Sequence, residues 1–191
     1  MDLFQPVPDF DRPIEALYIC HTNILKRMDQ IDALAAQLLE DGAPVFGPQV
    51  QIWEELVSFF RHSIANHTRD EDEGLFPLLA GRGGAVVERM EFDHRWIEQS
   101  EETMINRFEA LRSGEHPVSN TAVRELAMMA REVTRHYRDH IKHENEEVFP
   151  LAEQVLNDGE KGTLGGIMRK HRNIEVVSMP AEASVTGRTV A

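Results

Sequence analysis

The chain contains the stretch His67-Thr-Arg-Asp-Glu71-Asp-Glu-Gly-Leu-Phe-Pro77 and repeats its pattern in His140-Ile-Lys-His-Glu144-Asn-Glu-Glu-Val-Phe-Pro150. Both stretches read His-x3-Glu-x4-Phe-Pro, and each shared residue of the second lies 73 positions after its counterpart, as from 67 to 140 and from 71 to 144. The same distance separates His21 from His94. Four histidines and two glutamates therefore fall on a two-fold repeat.

Four long segments have apolar residues at every third or fourth position, a spacing typical of amphipathic helices. Stretches rich in glycine and proline separate these segments near residues 41–44, 81–84 and 113–117. The pattern predicts helices over about 14–39, 48–79, 87–111 and 119–156. Since short loops join antiparallel neighbours, the expected fold is all-α, an up-down-up-down antiparallel four-helix bundle of two αα-hairpins.

The chain is expected to consist of three parts. Residues 1–12 are interpreted as an irregular lead-in, and residues 13–157 as the four-helix bundle. Residues 158–191 form a C-terminal extension, in which 160–171 could be a short fifth helix, although its glycines weaken that helix. The rest of the extension is predicted to be a poorly ordered tail.

Each predicted hairpin carries a lone histidine on its first helix and a His-x3-Glu pair on its second. The two histidines of a hairpin are 46 residues apart in both copies, from 21 to 67 and from 94 to 140, so they are expected at matching levels. Residues four apart on a helix share a face, and here that face is the apolar one. Taken one at a time, each of these residues is more easily explained as an ordinary helical side chain than as a ligand.

The six residues together indicate a metal site. Burying ionised carboxylates among imidazoles costs several kcal/mol per unpaired charge, and two divalent cations would compensate that cost. Imidazoles would be terminal ligands, and carboxylates can bridge two ions. The predicted metal ligands are His21, His67, Glu71, His94, His140 and Glu144.

Two further residues are candidates for a role at this site. Glu98 follows His94 by four positions, and His136 precedes His140 by four, so each could be an additional ligand or a partner of one. Cys20 is the one cysteine of the chain, which rules out an internal disulfide, and it is interpreted as a small buried side chain. Ligand types alone do not select the metal, so manganese and zinc stay open beside iron.

Composition narrows the classes of partner. The chain has 20 Lys and Arg against 33 Asp and Glu, a net charge of −13, which argues against binding to nucleic acid or to anionic membranes. No segment approaches the ~18 consecutive apolar residues of a membrane span. The N-terminal residues lack the basic and apolar regions of a signal peptide. The expectation is a cytoplasmic protein without a membrane or nucleic-acid partner.

With these motifs the chain resembles the hemerythrin-like, HHE cation-binding family over about residues 13–156. The resemblance implies a four-helix bundle with a non-haem diiron centre, in which the four histidines are terminal ligands and Glu71 and Glu144 bridge two iron ions. Oxygen-carrying hemerythrins have a second histidine where this chain has Glu98, and His-x4-Asp where it has His140-x3-Glu144. The resemblance therefore favours a diiron centre more strongly than it favours simple oxygen carriage.

Three functions suit such a centre. The preferred one is a protein that binds or senses O2, NO or iron, with O2 or another small diatomic molecule as its partner. The alternatives are a diiron enzyme acting on O2, peroxide or NO, including iron–sulfur repair-like activity, and metal storage. In the enzyme alternative, Glu98 or Tyr137 would take part in the reaction.

Overall fold

Helices form nearly all of the part of the chain that the computed structural model describes, residues 8–174, and no strand occurs within it. The prediction of an all-α helical bundle is confirmed. The predictions for residues 1–7 of the lead-in and 175–191 of the tail lie outside the described residues. We number the helices as α1 (Pro13–Asp41), α2 (46–78), α3 (Gly84–Ser113), α4 (120–155) and α5 (Asp158–His171).

Local sequence explains where the helices begin and end. Pro13 occupies the first turn of α1, where its missing N–H is not needed. Gly114 ends α3 in the left-handed conformation (φ 78°), which glycine adopts at little cost. The Ser119 hydroxyl accepts a hydrogen bond from the Ala122 N–H at the start of α4 (3.2 Å). A capping box between Asn157 and Glu160 starts α5 at Asp158, two residues earlier than expected.

One π-helical turn interrupts α2 and one interrupts α4 at equivalent positions, Glu71–Leu75 and Glu144–Val148. A further π-helical turn in α2, Phe60–Ile64, has no counterpart in α4. The Phe76 N–H donates to the Glu71 carbonyl five residues back, and the Phe149 N–H does the same to Glu144. A proline follows each phenylalanine, and a proline ring clashes with the carbonyl four residues before it in a regular α-helix. The wider π-helical turn before each proline relieves that clash.

The interior contains two apolar clusters with a polar layer between them. One cluster fills the end of the bundle near Gly42 and Gly114, with Trp53 and Phe108 at its centre. The other lies at the opposite end, where α5 packs against α1 and α2. On α1, His21 falls between the two clusters, and on α3, His94 does so. The bundle therefore places the predicted ligands at its mid-height.

Within residues 8–174, none of the helices combines the length and the apolar character that crossing a bilayer requires.

Candidate metal centre

The six predicted ligands come together in the polar layer as two overlapping groups. One consists of His21 and His67 with both glutamates, and the other of His94 and His140 with the same two glutamates. Within each group, one candidate ligand atom per residue lies within 4.8 Å of every other. Each αα-hairpin thus supplies the histidines of one group, and Glu71 and Glu144 are common to both.

The carboxylates lie between the two histidine pairs. The Nε2 atoms of His21 and His67 are 3.0 Å apart, as are those of His94 and His140. Glu144 Oε2 is 3.1 Å from His21 Nε2 and 3.2 Å from His140 Nε2. Glu71 Oε2 is 3.4 Å from His67 Nε2 and 3.5 Å from His94 Nε2. Each carboxylate therefore reaches one imidazole from each hairpin, which is the arrangement that two bridged cations need.

The surroundings of the glutamates fit a bound cation. Glu71 and Glu144 have no exposed surface, and within the described residues none of their four carboxylate oxygens accepts a hydrogen bond. A buried acceptor without a donor costs on the order of 1–3 kcal/mol, and more when it is charged. Imidazole and carboxylate together suit iron, manganese or zinc. The donor set and its unsatisfied oxygens consequently match a pair of divalent ions.

Without bound metal, burial and neighbouring charges shift the pKa values of the carboxylates and imidazoles at this site. Burial, and next the neighbouring carboxylate of Glu144, raise the pKa of Glu71 to about 7. Burial and the adjacent imidazole of His21 lower the pKa of His67 well below its usual value, which keeps that ring neutral as metal ligation requires. Against the effect of burial, neighbouring imidazoles, with His140 first, lower the pKa of Glu144 well below its usual value. Nearby carboxylates raise the pKa of His94 well above its usual value and that of His140 to about 9, again against burial. Without metal, protonated imidazole therefore supplies the positive charge beside the carboxylates, and bound cations would take over that role.

Hydrogen bonds from the opposite hairpin orient the two lone histidines. His94 Nδ1 lies 2.8 Å from the carboxylate of Asp72, and His21 Nδ1 lies 2.7 Å from the amide oxygen of Asn145. An Nδ1–H donated to these acceptors leaves the Nε2 lone pair of each ring directed at the centre. The sequence prediction missed both partners, although Asp72 and Asn145 each follow a predicted glutamate and lie 73 residues apart.

Aromatic rings cover the same two histidines. Phe149 stacks on His21 with ring centroids 4.8 Å apart, and Phe76 stacks on His94 at 5.4 Å. Both phenylalanines belong to the apolar cluster beside α5, as expected for core residues. They also exclude water from the outer face of each imidazole.

The additional candidates lie outside both groups. Glu98 is exposed, and His136 is half-buried against Trp96, with ring centroids 3.6 Å apart. Cys20 is half-buried, and burial raises the pKa of its thiol to about 11, so the thiol stays protonated at neutral pH.

A cavity of about 300 Å³ reaches the centre from the side of α2, α3 and α4. Its wall includes His67, His94 and His140, so a small molecule in this space would lie beside both groups. Tyr137 and Glu101 also line it, and the Tyr137 hydroxyl donates to Glu101 Oε2 (2.7 Å). The centre is therefore buried yet accessible to a small ligand.

Comparison with known proteins adds one match. A family model described as the hemerythrin HHE cation-binding domain matches residues 12–152. A search among curated proteins finds no match to the chain.

Proposed function

Since the chain belongs to the hemerythrin HHE cation-binding domain family, we propose that it holds a non-haem diiron centre that binds or senses a small ligand such as O2 or NO. The observation that carries this proposal is the pair of His/Glu groups sharing two fully buried carboxylates without hydrogen-bond donors. Iron is proposed from the family, and the donor set is compatible with it.

In this proposal each residue has a defined role. His21 and His67 hold one ion, and His94 and His140 hold the other. Glu71 and Glu144 bridge the two ions, since each carboxylate lies near one histidine of each hairpin. Asp72 and Asn145 fix the ring orientation of the lone histidines. A bound iron pair would supply redox activity and an open position for a ligand.

The cavity supports ligand binding as the purpose of the metals. A metal site that only stabilised the fold would not need a space beside its ligands. The cavity also keeps the enzyme alternative open, because Tyr137 and Glu101 carry exchangeable protons within it. Peroxide, O2 or NO would be the substrate in that case.

Metal analysis tests the ligand set. We expect two iron ions per chain after anaerobic reconstitution, and fewer than two in a His67→Ala/His140→Ala variant, because each ion loses one imidazole. A His62→Ala/His116→Ala variant removes two exposed histidines and should keep two ions. Circular dichroism checks that all three proteins are helical. Two ions retained in the first variant would contradict the ligand assignment.

Optical spectra during O2 cycling separate the functional alternatives. Charge-transfer bands that appear with O2 and disappear on its removal would support a carrier or sensor. Bands that bleach irreversibly while peroxide is consumed would support an enzyme. A protein from native cells that contains zinc and no iron would contradict both.

A further inference from the structure

The cavity beside the centre breaks the two-fold repeat. Tyr137 lines it from α4, and its counterpart 73 residues earlier, Ile64, lines it from α2. Glu101 lines it from α3, where the counterpart in α1 is Met28, which belongs to the apolar core. The proposed ligands follow the repeat strictly, whereas Tyr137 and Glu101 each have an apolar counterpart in the first half of the chain.

Tyr137 is buried, with 5% of its surface exposed, and the hydrogen bond to Glu101 holds its hydroxyl. The apolar part of the same cavity wall includes Ile24, Ile64 and Ile97. A phenol and a carboxyl group are costly in such a wall unless a partner satisfies them. Because Tyr137 and Glu101 line the same cavity as the proposed ligand histidines, we expect them to interact with a molecule that enters it.

We propose that Tyr137, positioned by Glu101, donates a hydrogen bond to the molecule that binds in this cavity. This inference rests on the proposed function, because it takes the metal ions to be the other contact of the ligand. The ligand class is a small molecule with an acceptor atom beyond the one that meets the metal, as in hydroperoxides or azide. A water molecule occupies about 30 Å³ in the liquid, so 300 Å³ accommodates more than a diatomic molecule.

The protonation state of Glu101 decides where the phenol hydrogen points. Burial raises the pKa of Glu101 to about 7, and the nearby carboxylate of Glu98 acts in the same direction. Above that pH the Glu101 carboxylate accepts the Tyr137 O–H. Below it the neutral carboxyl group donates to the phenol oxygen, and the phenol hydrogen becomes available to a ligand. The phenol itself stays protonated, since burial raises the pKa of Tyr137 well above its usual value.

The other charged groups around the cavity come from α2, α3 and α4. The remaining helix of the wall, α1, contributes Ile24. From α2, Arg61 pairs with Glu109 and Arg69 pairs with Glu73, so both guanidinium groups are already compensated. The remaining titratable residues that line it are Glu98, Asp72, His67, His94 and His140. Because these other groups stay unchanged in a variant of Glu101, its azide binding reports the contribution of Glu101.

Azide binding to the oxidised, iron-loaded protein tests the proposal by spectrophotometric titration. At pH 6 we expect Tyr137→Phe to raise the azide Kd about tenfold, the loss of one hydrogen bond, with two irons retained. A Glu102→Gln variant, on the exposed face of α3, should bind azide like the unmodified protein. An unchanged Kd in Tyr137→Phe would overturn the proposal. A protein that fails to take up two irons would instead contradict the proposed function.

A second variant separates the hydrogen bond from simple charge removal. Glu101→Gln mimics the neutral carboxyl, so at pH 8 it should bind azide more tightly than the unmodified protein, and at pH 6 about equally. Combined with Tyr137→Phe, the gain at pH 8 should disappear, because no phenol hydrogen is left to release. If the gain persists in the double variant, Glu101 acts through its charge and its assigned role is wrong.

Discussion

Asp72 and Asn145 are the acceptors that orient the two lone histidines of the centre. Each accepts a hydrogen bond from a proposed metal-ligating histidine of the other hairpin, although one is an ionised carboxylate and the other a neutral amide. Residues that orient metal-bound imidazoles commonly change metal affinity by about 10–100-fold when removed. The two positions therefore form a natural comparison between a charged and an uncharged partner.

We expect Asp72→Ala to weaken iron binding by roughly 10–100-fold, because His94 loses the acceptor that fixes its ring. Asp72→Asn introduces the residue already present at the equivalent position, so it should lose much less. Competition with a chelator of known affinity measures both. Equal losses in the two variants would show that the charge of Asp72 matters and its hydrogen bond does not.

The six proposed ligands were predictable from the sequence because ligation uses rare residue types at fixed spacing. Asp72 was harder to find, since it is one of four consecutive acidic residues, 70–73, and its own side chain is partly exposed. Its assignment depends on the π-helical turn, which rotates the residues after Glu71 relative to a regular helix. For Glu98 the sequence suggested a role that the structure does not support. Its four-residue spacing from His94 made it a candidate ligand, but its side chain is exposed and belongs to neither His/Glu group.

Among the helices, α5 packs against the first αα-hairpin, which consists of α1 and α2. The buried carboxylate of Asp70, next to the proposed bridging Glu71, pairs with His171 Nδ1 (2.8 Å) and with Arg172 (2.7 Å). Sequence periodicity predicted the helix but not this position, since contacts distant in sequence leave no local pattern. Of its glycines, which weaken a helix in isolation, Gly165 is explained by a close approach to the N-terminal segment.

Gly165 and Gly166 make a matched pair for testing that approach. A Cβ at Gly165 would lie 2.1 Å from the Phe10 carbonyl oxygen, whereas one at Gly166 would meet nothing within 4 Å. Gly165→Ala should destabilise the fold by about 1–3 kcal/mol through overpacking. Gly166→Ala should stabilise it by about 0.5–1 kcal/mol through helix propensity. Urea unfolding of both variants measures the difference, and equal free energies of unfolding would contradict the docking of α5 on Phe10.

For the molecule as a whole, the polar layer at mid-height should make stability depend on metal. Glu71 and Glu144 contribute buried acceptors without donors, so the metal-free bundle keeps their desolvation cost. A ligand at 100 times its Kd stabilises a fold by about 2.7 kcal/mol, and each kcal/mol shifts the Tm of a chain this size by about 2–4 °C. Removal of the two proposed ions is therefore expected to lower the Tm by roughly 10–20 °C, about half of it for each ion.

Calorimetry before and after chelation, followed by reloading with iron, measures this change. The His67→Ala/His140→Ala variant provides the control, because its Tm should respond much less to chelation. A Tm that is the same with and without metal in the unmodified protein would contradict a coupling between the centre and the fold.

The overall architecture could be predicted from the sequence because it depends on apolar periodicity and on glycine and proline at the loops. The cavity could not be predicted in this way, because its wall combines residues from four helices, and spacing alone does not determine which of their side chains face one another. Tyr137 illustrates this limit, since its sequence position is three residues before His140 and only packing places its hydroxyl on Glu101.

The crossed hydrogen bonds of the lone histidines also bear on how such a chain could arise. His21 of the first half is held by Asn145 of the second, and His94 of the second by Asp72 of the first. One hairpin alone lacks half of these contacts, whereas two identical hairpins paired about a two-fold axis would have all of them. A chain of half the length could therefore complete the same contacts as a symmetric dimer. In the single chain the two halves can differ, so that Tyr137 lies on one side of the centre where its counterpart on the other side is Ile64.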